Sequence, residues 1–280
     1  MRRTSPNASR PRQIRGFLIG ALFLVGGGIA VAAPSSTTTP SAAAKLDADF
    51  HAAYPMTAPV STTLFAGVEL GKLTIPTLRV HAREEHAHDG TDDRGIRISF
   101  ADPAGNVRLL VHVTVAPTPA AARSVVDAEL HGVSTLMPPA LDPKLGDVAF
   151  ADDGGKGTNY VIGAHANVAY SVDMVDAAPG LPSAAAVAAQ LRTLMPSGAP
   201  SFPTATVTLP SVVDVKKGGD VRVTVPGGEK FRLRADGAYV AHGTTGPIVR
   251  PFAAGPIAVY ATVVDDLGRV TVAKGVSAAK

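Results

Sequence analysis

The sequence predicts a mixed α+β fold, in which an antiparallel sheet with two helices on one face is followed by a small all-β sandwich. Apolar and polar residues alternate along several short segments between residues 73 and 175, as they do in half-buried strands. Two segments, 119–131 and 184–195, instead repeat apolar residues at helical spacing behind a capping residue. Beyond residue 203, only strand-like segments separated by turn residues remain. The 280 residues, 46% of them hydrophobic, suffice for about two domains.

The N-terminal segment has the layout of a secretory signal peptide. Residues 1–15 are basic, and residues 16–33 are uncharged and end in small side chains. Because Ala30 and Ala32 form a small-x-small cleavage site, we predict a signal peptide over residues 1–32 and a secreted or periplasmic protein. The alternative is an uncleaved anchor, since about 18 apolar residues approach the length that spans a bilayer. Residues 33–60, rich in Ser, Thr, Pro and Ala, are predicted to be a flexible spacer.

Composition disfavours several functional classes. Of the 26 basic residues, five arginines precede the apolar segment, which leaves 21 basic against 23 acidic residues in the remainder. A basic domain that binds nucleic acid is therefore disfavoured, although the whole sequence has a pI near 9.2. The absence of cysteine excludes disulfides, thiolate zinc sites, cysteine nucleophiles and a lipid-modified N-terminal cysteine.

Residues 61–196 are predicted to form the α+β domain. Thr118 begins the first helix at 119–131, and Ser183 begins the closing helix, which ends before Pro196. With both helices on one face, their apolar stripes would be buried and the other face would contact water. The predicted strands are 73–80, 95–100, 107–115, 147–152, 157–164 and 167–175.

Two stretches of this domain support a family resemblance. The sequence LGDVAF at residues 145–150 is followed by a polar turn, a strand and GAHANVAY at residues 163–170, before the final helix. This order resembles the small exported α+β domains of the PsbP-like kind. The resemblance implies a binding or accessory module with no shared catalytic residues. Because this chain lacks the cysteine that carries a lipid anchor in many such proteins, the resemblance does not imply membrane tethering.

Residues 204–280 are predicted to be a separate β-sandwich domain behind a proline-rich linker, 197–203. Seven short strands in a segment of this size are typical of a sandwich. The stretch VVDDLGRVTV at residues 263–272 resembles the last hairpin of bacterial immunoglobulin-like domains. A simple β-barrel is the alternative. The predicted strands are 204–209, 220–225, 230–234, 238–241, 248–250, 257–264 and 269–273.

The densest polar cluster lies at residues 81–93. Its imidazole and carboxylate groups are ligands that suit Zn²⁺ or Cu²⁺. The spacing does not match a helical His-Glu-x-x-His zinc site, and the alternative is a solvated hairpin loop whose charges keep a sheet edge soluble. The candidate metal ligands are His81, Glu85, His86, His88 and Asp89.

Other motifs predict turns rather than chemistry. Residues 152–157 (DDGGKG) match neither a complete calcium loop nor a phosphate loop. There is no Gly-x-Ser-x-Gly elbow, and no catalytic residue or cofactor is assigned. We therefore expect an exported, non-catalytic binding or structural protein whose partner is an envelope protein or a glycan. The alternatives are a metal-binding protein that uses residues 81–93 and a hydrolase whose site is assembled from distant residues.

Overall fold

The structure, a computed structural model, describes residues 42–56, 61–87, 94–133, 137–176, 178–244 and 246–280. The predicted signal peptide and the candidate ligands His88 and Asp89 lie outside these ranges. The fold is mixed α+β with mostly antiparallel sheets. Within the described ranges, no helix is long and apolar enough to cross a membrane. We call residues 42–196 the first module and residues 204–280 the second module.

The first module is built on a six-stranded antiparallel sheet with the strand order β1-β2-β3-β6-β5-β4. Its strands are β1 (Arg79–Ala87), β2 (Arg94–Ala101), β3 (Val107–Val115), β4 (Val148–Ala151), β5 (Tyr160–His165) and β6 (Val168–Met174). Its helices are α1 (Ala42–Ala53), α2 (Pro119–His131) and α4 (Ala184–Thr193). Between α2 and α4, the segment α3 (Asp152–Gly155) is a turn in which Asp153 and Gly154 have positive φ angles of 48° and 65°.

Helices α2 and α4 lie on opposite faces of this sheet, so the prediction of both helices on one face is wrong. Val126 of α2 packs in one core with Ile162 of β5. Leu191 of α4 packs in another core with Val161, the neighbouring residue on the same strand. Since consecutive strand residues point to opposite faces, β5 carries apolar side chains on both. The central strands therefore require cover on both sides, which one layer of helices cannot provide.

The segment predicted as a spacer over residues 33–60 contains a helix, α1. Tyr54, the residue directly after α1, is 7% exposed and packs this segment against the sheet. The Tyr54 ring meets Phe150 edge-on with centroids 5.3 Å apart, and its hydroxyl accepts a hydrogen bond from the Met137 N–H at 3.3 Å. The Ala-rich composition that resembled a spacer also favours a helix, and burial of Tyr54 and the half-buried Phe50 provides the tertiary packing.

The second module consists of short strands in three sheets. Two of them, ordered β11-β14-β15-β8 and β12-β13-β9, contribute to one core around Val213, Val249 and Val259. Only β8 and β15 pair in parallel among the described strands. Two-residue strands such as β8 and β9 are too short to leave a pattern in the sequence. The strands are β7 (Thr206–Thr208), β8 (Val212–Val213), β9 (Gly219–Asp220), β10 (Arg222–Thr224), β11 (Phe231–Asp236), β12 (Ala238–His242), β13 (Pro247–Pro251), β14 (Gly255–Val264) and β15 (Val270–Ala279).

The tip of the β14–β15 hairpin packs into the first module. Val270 is buried in the core that contains Leu191, and the Leu267 carbonyl accepts a hydrogen bond from the Val68 N–H at 2.8 Å. Gly268 lies against Leu70 so closely that an added Cβ would be 3.0 Å from its Cδ1. The two modules are therefore joined by a packed contact as well as by the chain between them.

The predicted linker is itself tied to the first module. The Pro196 carbonyl accepts from the Ala66 N–H at 2.9 Å, and the Gly198 N–H donates to the Leu64 carbonyl at 2.9 Å. Ser197 forms a β-bridge with Phe65. The first residues after α4 thus run along the segment at 64–69 and do not form a free spacer.

Candidate functional site

The predicted metal-binding segment is half strand and not a loop throughout. Residues 81–87 belong to β1, whose register with β2 places Glu84 opposite Arg97 and His86 opposite Gly95. A β-bulge between Val80 and Ala82 contains His81, which is exposed. Cross-strand pairing of opposite charges favours this extended structure. Within the described residues, no group of three or more His, Asp or Glu side chains is arranged to hold a metal ion.

Glu85, one of the candidate metal ligands, pairs with the second module. Its carboxylate Oε2 lies 2.9 Å from Arg232 Nη1 of β11, and the Glu85 side chain is 14% exposed. Glu84, the adjacent residue, is exposed. Successive strand side chains point to opposite faces, so Glu85 faces the second module and Glu84 faces away from it. The metal prediction for His81, His86, His88, Glu85 and Asp89 stays a prediction, because two of these residues lie outside the described ranges.

A cleft of about 830 Å³ lies between β1 of the first module and the β11–β14 pair of the second module. We call it the inter-module cleft. Its volume is in the range of sites that hold a small molecule or a short peptide. Side chains of both signs line it: Arg83, Lys230, Arg232 and Arg269, with Glu85, Glu229, Asp265 and Asp266.

One wall of the inter-module cleft is held rigidly by Asp265, at the β14–β15 turn. Its carboxylate accepts hydrogen bonds from the Leu267 N–H at 2.9 Å and the Arg269 N–H at 3.0 Å, and it also accepts from Arg269 Nε. Arg83 Nη2 donates to the Asp265 carbonyl at 3.4 Å. These contacts neutralise Asp265 and fix the turn that joins the modules.

The opposite wall keeps unused hydrogen-bonding capacity. The Oε2 atoms of Glu85 and Glu229 are inaccessible to water and have no hydrogen-bond partner among the described residues. Glu85 Oε2 is paired in charge with Arg232 Nη1 at 2.9 Å, and the Arg232 side chain is 66% exposed. Lys230 is exposed and Phe231 is 40% exposed at the same wall. Glu85 therefore depends for its charge pairing on a side chain that lies mostly in solvent.

Sequence reasoning missed Arg232, Glu229 and Lys230. The turn at residues 226–230, PGGEK, predicts an exposed loop that contains Glu229, whereas Lys230 and Arg232 fall in the predicted strand 230–234. Nothing in the local pattern indicates that this loop meets β1, because the contact is made by chain segments far apart in sequence.

A second polar cluster brings together a serine, a histidine and an acid. Ser171 of β6 is the cross-strand neighbour of His112 of β3. Ser171 Oγ donates to Glu129 Oε1 of α2 at 2.6 Å, and the Tyr160 hydroxyl donates to the same oxygen at 3.3 Å. Burial and the negative charge of Glu129 raise the pKa of Tyr160, which keeps its hydroxyl protonated.

The geometry of this cluster favours a structural role. Ser171 is 6% exposed and lies inside a strand that pairs on both sides, so the backbone N–H groups around it belong to the sheet. An oxyanion requires free donors beside the nucleophile. The Ser171 proton is directed to a carboxylate and not to an imidazole base. The cluster fastens α2 to the sheet.

A third cluster, around His165, joins the two stretches of the PsbP-like resemblance. His165 Nδ1 lies 3.1 Å from Asp147 Oδ1, and Arg192 Nη2 lies 3.0 Å from His165 Nε2. Asp147 Oδ2 also accepts from the Ala166 N–H at 2.7 Å. Burial, followed by the positive charge of Arg192, lowers the pKa of His165. A neutral histidine that donates to Asp147 and accepts from Arg192 ties the β5–β6 turn to α4.

No family model fits this chain, and no curated protein matches it. The geometry of the fold and of the inter-module cleft is therefore the basis for assigning a function.

Proposed function

We propose that this chain is an exported, non-catalytic binding protein of the bacterial envelope or extracellular space, and that the inter-module cleft holds its ligand. The observation that supports this most is a cleft of about 830 Å³ walled by both modules, in which the mostly buried Glu85 carboxylate pairs with the largely exposed Arg232. Because the cleft carries equal numbers of basic and acidic side chains, the ligand is one that carries both charges, such as a short peptide.

The ligand's cationic group competes with Arg232 for Glu85. Arg232 is largely exposed, so it can leave Glu85 at small cost in packing. An ammonium or guanidinium group that takes its place gains a carboxylate that the fold has already largely removed from water. The ligand's anionic group then meets Lys230 and the displaced Arg232.

The finer fold belongs to the same proposal. We infer that the second module is an immunoglobulin-like sandwich, supported by a single core to which both of its larger sheets contribute. We infer that the first module is of the PsbP-like kind, supported by the order of its strands and helices. The PsbP-like resemblance implies a binding or accessory module, which agrees with the proposed role.

Selection from a random hexapeptide library tests the proposal. The processed protein is immobilised, the library is passed over it, and retained peptides are identified by mass spectrometry. We expect enrichment of peptides that contain Lys or Arg together with an acidic residue. The Glu85→Gln/Glu229→Gln variant should lose the enrichment, whereas Glu84→Gln, the neighbouring change on the opposite face of β1, should keep it. Equal retention by all three proteins, or no enrichment, would refute the proposal.

A further inference from the structure

Two aromatic rings lie side by side on the outer face of the sheet formed by β12, β13 and β9. Tyr239 on β12 is 48% exposed, and Phe252, just beyond β13, is 70% exposed. Their ring centroids are 6.0 Å apart and their planes differ by 32°. Tyr239 pairs in register with Arg250, whereas Val249, the residue beside Arg250, is buried in the core. We call Tyr239, Arg250 and Phe252 the aromatic platform.

The area of the aromatic platform favours a small occupant. Single exposed apolar residues are ordinary, whereas two neighbouring exposed rings form a continuous apolar patch that a flat group can cover. A fully buried aromatic side chain covers about 150–250 Å², so two half-exposed rings offer about 300 Å² at most. A stable protein interface needs about 800 Å² from each partner. The occupant is therefore a flat group of the size of one or two rings.

The chemistry of the aromatic platform matches a sugar ring. An aromatic ring is electron-rich on its face, so it attracts the weakly positive C–H groups that a pyranose presents on its apolar side. Arg250 is exposed and carries a planar set of five N–H donors, which suits hydroxyl groups at the edge of such a ring. Tyr239 adds a hydroxyl that both donates and accepts.

We propose that the aromatic platform binds a pyranose ring of a glycan, which stacks on Tyr239 and Phe252 while its hydroxyl groups accept hydrogen bonds from Arg250. None of these three residues lines the inter-module cleft. The two proposed sites share no residue, so one proposal can be disproved while the other stands. A protein with both would bind an extended polysaccharide with one module and a charged ligand between the modules.

Titration of three defined oligosaccharides tests this inference. Chitohexaose, cellohexaose and maltohexaose are each added to the processed protein, and binding is followed by calorimetry and by amide chemical shifts. We expect at least one to bind saturably. The Tyr239→Ala/Phe252→Ala variant should weaken that binding by about tenfold or more, the loss expected for a central contact residue. Tyr239→Phe should retain the stacking, and Val276→Ala, at an exposed apolar residue outside both the platform and the inter-module cleft, should change nothing.

Circular dichroism and amide exchange show whether the double variant remains folded, as expected for two exposed side chains. Four results would overturn the inference. The first two concern sugars: none of the three binds saturably, or sugar binding persists in the folded double variant. The third is binding to phosphatidylglycerol vesicles that depends on the platform, without sugar binding. The fourth is a protein dimer in sedimentation that the double variant abolishes.

Discussion

His165 shows how a titratable residue can act in the fold without acting in chemistry. Its ring is held between Asp147 and Arg192 and lies 4.9 Å, centroid to centroid, from the ring of Phe65. Asp147 favours the protonated ring, but burial and the Arg192 guanidinium disfavour it more strongly and lower the pKa of His165. The folded protein therefore binds a proton at this site less readily than the unfolded chain does.

The lowered pKa of His165 predicts a loss of stability in mild acid. The unfolded chain begins to bind the proton near pH 6.5, the usual pKa of histidine. Stability from this site is thus fully present above that pH and falls as the pH drops from there towards the lower folded pKa. We expect urea unfolding to show that the stability advantage of the native protein over His165→Asn shrinks between pH 7.5 and pH 5. An advantage that grows in acid would contradict the assigned direction.

The predicted metal ligands can be tested on the same scale. Three imidazoles on one segment must lose backbone freedom to converge, at about 1–2 kcal/mol per ordered residue. Since Glu85 already pairs with Arg232, we expect calorimetric titration with Zn²⁺ or Cu²⁺ to show weak binding. The heats should be similar in the His81→Ala/His86→Ala/His88→Ala variant. Submicromolar one-to-one binding that this variant loses would instead establish a metal site at residues 81–93.

Helices of the first module show which elements the sequence determines locally. The expected caps are in place, since Thr118 Oγ1 accepts from the Ala121 N–H and Ser183 Oγ accepts from the Ala186 N–H, both at 3.2 Å. Capping and periodicity act within a few residues, so these bounds were predictable. The face of the sheet that each helix covers depends on contacts with β5, which bears apolar side chains on both faces. Which face a helix covers is decided by tertiary contacts and not by its local sequence. The prediction that both helices cover one face was wrong for this reason.

Helix α1 provides the prediction at this scale. Tyr54 is almost fully buried, and its ring contacts both Phe50 and Phe150. We expect Tyr54→Ala to lower the free energy of unfolding by about 3 kcal/mol, because it removes a buried ring and leaves a cavity beside Phe150. Urea unfolding measures the change. Leu46→Ala, inside α1 rather than directly after it like Tyr54, is at a residue that is 70% exposed; it is the matched control and should cost less than about 0.5 kcal/mol. Equal costs would mean that α1 is not docked in solution.

The whole molecule depends on a contact that no local pattern shows. The strands on either side of the β14–β15 turn were predictable from their alternation, and so was the turn itself. The packing of Val270 and Leu267 against the first module was not predictable, because the local pattern does not show which core an apolar strand end will contact. The inter-module cleft exists only as a result of this contact. The sequence pattern therefore indicated a metal-binding role for Glu85, which in the structure lines this cleft.

The shared core predicts that the two modules unfold together. Val270 is 2% exposed among apolar residues of the first module, whereas Val276, on the same strand, is 69% exposed. We expect Val270→Asp to lower the free energy of unfolding by about 3–5 kcal/mol, since it places an unpaired charge in a core. Amide exchange should then accelerate in β2 and β3 of the first module as well as in β14 and β15. Val276→Asp should leave both modules unchanged. Acceleration confined to residues 204–280 would show that the modules are energetically independent, with the inter-module cleft as a loose contact between them.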